Sequence, residues 1–358
     1  MENYSIIIPS YTVGPGAYKE IPKYCKRCGR RAVVIGGHKA MAAAREKLLA
    51  AVEGSGLEIA DFLWYGRDCT FEAAKALEEQ ESVRTADMIF AVGGGKAVDT
   101  AKLAALHLEK PYFSFPTIAS NCAASSSLSI VYKEDGSFCD FVHFLEGAHH
   151  IFIDTEIIAK APDQYLWAGI GDTYAKYYEV SLSARGERLE HFKAVGVNLS
   201  RMCLDTMLQH GEQALKDNKA GVSSYDLEQA ALTIIVTTGW VSMLVARDHT
   251  MDYNGGVAHA FFYALCSLPG FEETHLHGVV VGFGVLMLLM IDGQEKECKM
   301  LRDFNKRVNL PVSLSEIGVT VKDVAKVADR IIADEDVEHY PYRLTRDMIL
   351  DAARQLES

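Results

Sequence analysis

The feature that most limits what this chain can fold into lies at residues 86–108. Ala86–Val92 (ADMIFAV) is an apolar run without alternation; it meets Gly93-Gly94-Gly95-Lys96, and helical composition follows from Ala97 to Leu108. A strand of that kind is buried on both faces, which places it inside a parallel sheet covered by helices. Its neighbours repeat the alternation. Arg31–Gly36 predicts a strand and Lys39–Ala51 a helix, and Leu57–Tyr65 and Glu72–Val83 predict another such pair. Tyr112–Ile118 and His150–Asp154 read as further strands. Ser127–Tyr132 and Phe138–Phe144 flank Lys133-Glu134-Asp135-Gly136, whose Asp-Gly step signals a hairpin. Together these imply an α/β, Rossmann-like parallel-sheet domain over residues 1–160. Beyond it, segments such as Ser223–Ala246 and Val321–Ile332 predict an all-α second domain over 161–358.

Three glycines between a strand and a helix let backbone N–H groups approach an anion without Cβ in the way. The helix N-terminus adds partial positive charge, and Lys96 can reach a phosphate oxygen. The spacing is neither GxGxxG nor that of a Walker A loop. It points to a pyrophosphate without naming the ligand, and a purely structural tight turn is the alternative.

Composition removes several classes of function. Lys and Arg number 36 against 48 Asp and Glu, a formal charge of -12, so no nucleic-acid partner is expected. Val279–Ile291 reads as the most lipid-like stretch, and it falls short of the ~20 apolar residues a bilayer demands. It reads as a buried core helix, with no membrane partner. MENYSIIIPS lacks the basic start and long apolar run of a secretory leader. The eight cysteines (25, 28, 69, 122, 139, 203, 266 and 298) then read as reduced thiols of a cytoplasmic protein. Cys25 and Cys28 form a CxxC without the second pair a zinc ribbon needs.

Seven segments carry a resemblance: AVGGGKAVDTAK (91–102), FPTIAS (115–120), SLSIVY (127–132), DTEIIAKAP (154–162), AGIGDTYAKYYE (168–179), VAHA (257–260) and HGVVVGFG (277–284). In this order and with these gaps the chain resembles the iron-containing alcohol dehydrogenase family, and within it the glycerol dehydrogenase branch. The resemblance implies a dinucleotide-binding half, a helical half, catalysis in the cleft between them, and a homo-oligomer. It assigns NAD or NADP to Gly94, Gly95, Lys96 and Asp99, with Thr117, Ser120, Ser126, Leu128 and Tyr132 lining the rest of the cofactor site. It assigns a divalent metal, zinc before iron, to Asp172, His259 and His277. One carboxylate and two imidazoles hold such an ion while leaving positions for a substrate oxygen. His275 lies two residues from His277, so on a helix only one of them faces the metal. The match of His277-Gly278 selects His277. His149, His150 and His249 read as surface groups or as groups behind the ligands.

Three departures from the glycerol branch bear on the substrate and cofactor. Cys122 stands where that branch carries an Asp that meets substrate hydroxyls. The local pattern Thr117-x-Ala119-x-x-Cys122-Ala123-Ala124, with QYLWAGIGDTYAKYYE (164–179), is closer to the hydroxycarboxylate dehydrogenase branch, which reduces 2-oxo acids. Simple packing of Cys122 is the plainer alternative. After the second strand, Ile35-Gly36-Gly37-His38-Lys39 has no acid for the adenosine ribose, so Gly37 and Lys39 admit the 2′-phosphate of NADP. Phe261 and Phe262 occupy positions where relatives carry a second histidine that assists proton exit, and Val280 replaces a common lysine.

The leading expectation is a metal-dependent, NAD(P)-linked oxidoreductase interconverting a small 2-hydroxy acid and its 2-oxo acid, with Cys122 near the substrate. A glycerol or vicinal-diol dehydrogenase is the near rival. A 3-dehydroquinate synthase is disfavoured, because NGGVAHAFF lacks that enzyme's basic cluster and ligand segment. A degenerate nucleotide-binding protein without catalysis is the rival outside enzymology.

Overall fold

Every residue of Met88–Gly93 and of Tyr112–Pro116 is buried, as apolar runs without alternation require. The structure is a computed structural model that describes residues 5–246 and 252–357, so His249 lies outside the described residues. Among the described residues the strands are β1 (Ser10–Val13), β2 (Arg31–Gly36), β3 (Glu58–Trp64), β4 (Met88–Gly93), β5 (Tyr112–Pro116), β6 (Leu128–Tyr132), β7 (Phe138–His143) and β8 (His150–Ile153). Six of them form one sheet in the order β1-β8-β5-β4-β2-β3, and all its pairings are parallel. β6 and β7 form the expected antiparallel hairpin. The chain folds into two compact units, Met1–Pro162 with Lys216–Trp240, and Asp163–Leu215 with Val241–Ser358. The polypeptide thus passes between units three times, not once.

This strand order fixes where a ligand can sit. From β2 the chain moves outward to β3, then returns across β2 to β4 and continues the other way to β5. The order therefore reverses between β2 and β4, and a doubly wound sheet opens a crevice at the carboxyl ends of such strands. Gly36 of β2 is in register with Val92 of β4. Just beyond these residues begin two long helices, α1 (His38–Val52) and α2 (Gly95–His107).

Four elements differ from expectation. β1 went unread in the sequence because it is four half-exposed residues on the sheet edge, paired only with β8 far along the chain. The helix expected over Glu72–Val83 breaks at Gln80, whose extended backbone starts a second short turn at Glu81. Tyr225–Val245 is a longer apolar helix than 279–291 and is long and apolar enough to cross a bilayer, yet 61% of its window is buried inside the protein. It contains a π-helical turn at Thr233–Thr237. Lastly, His150 is buried, not a surface group.

The His150 ring pins the edge strand. Its Nδ1 lies 2.7 Å from Ser10 Oγ and its Nε2 2.8 Å from Thr12 Oγ1, while Tyr24 stacks on it at 3.7 Å. Burial, helped by the positive Arg27 and Lys23, pushes the imidazole down to about 4. In the unfolded chain it titrates near 6.5. The native contribution is therefore complete above pH 6.5, fades as acid protonates the unfolded chain, and is gone near pH 4. A His150→Phe variant lacks this dependence. Its stability deficit against wild type should shrink by about 2 kcal/mol between pH 7 and pH 4.5 in urea unfolding. A deficit independent of pH would contradict the assignment.

The second unit contains helices only, among the described residues. Three of them matter here: α3 (Asp163–Ser183), α4 (Val257–Cys266) and α5 (His277–Ile291). Nearly all of α5 is buried, so 279–291 is the core helix its composition implied. α3 and α5 touch backbone to backbone. A Cβ on Gly171 would lie 2.2 Å from the Gly278 carbonyl oxygen, and one on Gly278 would lie 2.1 Å from that of Ala168. Only glycine allows this approach.

Candidate metal centre

The glycine crossing sets the positions of the polar groups beside it. Asp172 follows Gly171 on α3, and His277 precedes Gly278 as the first residue of α5. His259 comes from the first turn of α4, whose neighbouring residue Ala258 packs against Gly284 of α5. Nε2 of His259 lies 3.5 Å from Asp172 Oδ1, and Nε2 of His277 lies 3.4 Å from the same oxygen. One ligand atom from each residue falls within 4.8 Å of the others. These spacings are long for hydrogen bonds. They suit a shared ion: metal–ligand distances near 2.1 Å in tetrahedral geometry put donor atoms about 3.4 Å apart.

The electrostatics point the same way. Burial alone would raise the Asp172 carboxyl, but the facing imidazoles of His259 and His277 outweigh it and hold it well below the ordinary carboxylate range. Burial alone would lower His259, whereas the Glu179 charge, the facing Asp172 carboxylate and the hydrogen bond to Glu179 push it up to about 10. A pocket that so favours positive charge at an imidazole also favours a divalent cation. The Asp172 and His259 side chains are 10% and 12% exposed against 38% for His277, so the centre opens on the His277 side.

His275 is not part of the cluster. It lies in extended chain before α5, stacks on Phe271 at 4.2 Å, and its Nδ1 is 2.9 Å from the Phe271 carbonyl oxygen. The two histidines are therefore separated by alternation of an extended segment rather than by helical rotation. Phe262 is buried edge-on to the His277 ring at 4.5 Å, so an apolar ring covers one side of that histidine.

Two buried acids near the centre were not singled out in the sequence. Glu179 is on α3, two turns beyond Asp172, and contacts both the backbone and the ring of His259. That i, i+7 spacing was the available signal. Asp336 comes from far downstream, lies against Gly255, and has no hydrogen-bond partner for Oδ2 among the described residues. Burial is the chief reason its carboxyl is pushed up to about 7. No local pattern marks it.

In the first unit, the expected cofactor residues gather at the N-terminus of α2. β4 ends on Gly93 at φ 150°, and Gly94 caps α2 without a side-chain hydrogen bond. Gly37 likewise begins α1 without one, and its N lies 3.9 Å from a Cβ built on Gly93. Two helix N-termini therefore present free N–H groups side by side at the reversal point, an arrangement that attracts phosphate. Ile118 packs on Gly94 and Asn121 on Gly95, which brings the segment carrying Thr117 and Ser120 against the loop. Lys96 pairs with Asp68 and lies 5.1 Å from the Tyr132 ring. Asp99 faces inward. Its carboxylate meets Lys102 at 3.2 Å and the Ile130 N–H at 3.4 Å, so it braces β6. Buried Lys102 also donates to Ser126 Oγ at 3.2 Å and the Leu128 carbonyl at 2.8 Å. Lys39 is exposed, and His38 beside it stacks on Trp64 at 5.2 Å. Cys122 sits in a turn whose carbonyl accepts the N–H groups of Ser125 and Ser126. That turn packs against Gly239 of the 225–245 helix.

Comparison with known proteins fits this geometry. Residues 9–155 match the family model of iron-containing alcohol dehydrogenases. Hydroxycarboxylate dehydrogenase A of Escherichia coli K12 is 34% identical over 334 residues, 92% of this chain and 90% of that protein. The chain belongs to the iron-containing alcohol dehydrogenase family. A glycerol dehydrogenase of Thermotoga maritima is 32% identical over 289 residues, covering 77% of this chain and 75% of its own. The crystal structure of glycerol dehydrogenase from Schizosaccharomyces pombe superposes with a TM-score of 0.87 at 25% identity, covering 100% of this chain and 91% of that one. The protein is thus a metal-containing, NAD(P)-dependent dehydrogenase of the alcohol dehydrogenase type, with the glycerol dehydrogenase-like fold.

Proposed function

We propose that this dehydrogenase interconverts a small 2-hydroxy acid and its 2-oxo acid, using zinc and accepting NADP as well as NAD. Asp172, His259 and His277 would hold the ion, and their 3.4–3.5 Å spacing is the observation that carries the reading. When bound, such an ion polarises the substrate oxygen and stabilises alkoxide character near neutral pH. The free N–H groups of Gly94 and Gly95 would anchor the pyrophosphate, with Lys96 turning from Asp68 to a phosphate oxygen. Buried Asp99 and Lys102 hold the strand that carries Leu128 in place beside it. Phe262 covers one side of the His277 ring, whose side chain is otherwise 38% exposed.

Cys122 supports the acid substrate. Residues 115–131 contain no acidic group, so nothing in that segment repels a carboxylate. The relative that is 34% identical is a hydroxycarboxylate dehydrogenase by name. Gly37 and Lys39 support NADP: no carboxylate follows β2 to compete with a 2′-phosphate, and the lysine is exposed beside it. Glycerol is the second reading, favoured by the likeness to glycerol dehydrogenases. Initial rates separate the two. Reduction of 2-oxobutanoate or 2-oxoglutarate, with NADH and with NADPH, should exceed glycerol oxidation in kcat/KM by about tenfold or more. Faster turnover of glycerol overturns the acid assignment, and activity with NADH alone overturns the NADP assignment.

A further inference from the structure

Glu179 is fully buried, and both its oxygens are committed to one residue. Oε1 accepts the His259 main-chain N–H at 2.9 Å, and Oε2 lies 2.6 Å from His259 Nδ1. We propose that Glu179 is a positioning residue that makes His259 a metal ligand, by holding the ring proton on Nδ1 and turning Nε2 toward Asp172. The inference rests on the metal reading above and adds to it a residue that touches neither ion nor substrate.

The argument is one of donors and acceptors. A carboxylate only accepts, and the imidazole that ligates a metal must be neutral, with one N–H and one lone pair. With Oε2 at 2.6 Å the proton belongs on Nδ1, because the other tautomer would set two lone pairs against each other. Nε2 is then left with its lone pair on the side where Asp172 Oδ1 lies. The main-chain bond adds a second grip. His259 is in the first turn of α4, where N–H groups have no helical partner, and Gly256 before it supplies no side-chain cap. Glu179 satisfies that orphan donor from another helix and so fixes backbone and ring together. Its close approach depends on Gly256, where a Cβ would lie 2.8 Å from Glu179 Cγ. Because Asp172 and Glu179 share one face of α3, a single rigid helix spaces a ligand and the residue that orients a ligand. Partners of this kind typically change metal affinity 10–100-fold.

Glu179→Gln is the decisive variant. Its amide oxygen can still accept the main-chain N–H, but its NH2 then faces Nδ1 and drives the proton to Nε2, where it blocks the ligand position. Zinc affinity, measured by competition with a chromogenic chelator on stripped protein, should fall 10–100-fold. The visible spectrum of the cobalt-loaded variant should differ from wild type, a change that a merely structural glutamate would not produce. Glu179→Asp keeps the charge but not the reach, and should fall between the two. If the Gln variant does not fold, the Asp variant decides by the same measurements. Wild-type zinc affinity and cobalt spectrum in a folded Glu179 variant overturn the role of Glu179 alone. Wild-type protein that takes up neither zinc nor cobalt overturns the metal reading together with it.

Discussion

Asp172→Asn is expected to lower kcat/KM of this dehydrogenase at least ~10³-fold while the protein stays folded. The substitution keeps size and shape, so packing at the α3–α5 crossing survives. What goes is the negative charge that both imidazoles face, at 3.5 Å for His259 and 3.4 Å for His277. An amide oxygen is a far poorer ligand for a divalent ion than a carboxylate. It also cannot balance the positive charge the site collects. Stripping wild-type protein with a chelator should reproduce the loss, and zinc should restore wild type but not the variant. Titration with NADH, followed by its fluorescence, should give wild-type affinity, since Gly94 and Gly95 belong to the other unit. A variant that keeps both zinc and turnover would remove Asp172 from the centre. Lost NADH binding would show instead that the substitution disturbs the whole protein.

How much of this was legible in the sequence follows from how local each signal is. β2, β4 and β5 are apolar runs bounded by turn residues, and each was placed within two residues. The hairpin was legible because Asp135-Gly136 forces a turn between two β-prone runs. β1 was not, because its only partner is β8 and four residues carry no period. The three ligand positions came from a resemblance, and the structure brings them together. Nothing in the spacing of residues 172, 259 and 277 could have done so alone. Glu179 was within reach of reasoning, as it repeats Asp172 on the same helix face. Asp336 was not, since only the tertiary fold carries it to Gly255. Asp99, which the resemblance assigns to the cofactor, also has a structural partner the motif does not reveal, since its carboxylate meets Lys102 and the Ile130 N–H.

Gly278→Ala should be nearly as damaging as the loss of a ligand, though it removes no functional group. The added methyl would lie 2.1 Å from the Ala168 carbonyl oxygen and 2.9 Å from Asp172 Cβ. The first clash is with backbone, which cannot rotate away as a flexible side chain could. α3 and α5 must therefore part by about 1 Å, against a core packed like a solid. Overpacking of this kind costs about 1–3 kcal/mol, and more where the neighbour is main chain. The damage reaches the chemistry because Asp172 and His277 are the residues flanking the crossing. Spreading the helices lengthens the 3.4 Å gap between their ligand atoms, and ~1 Å of misplacement can cost ~10²-fold in rate. Thermal unfolding, zinc affinity and kcat/KM measured on one preparation check all three consequences. A normal melting temperature with a normal zinc affinity would mean that the helices give way freely, and that something other than the glycine contact sets the spacing of the centre.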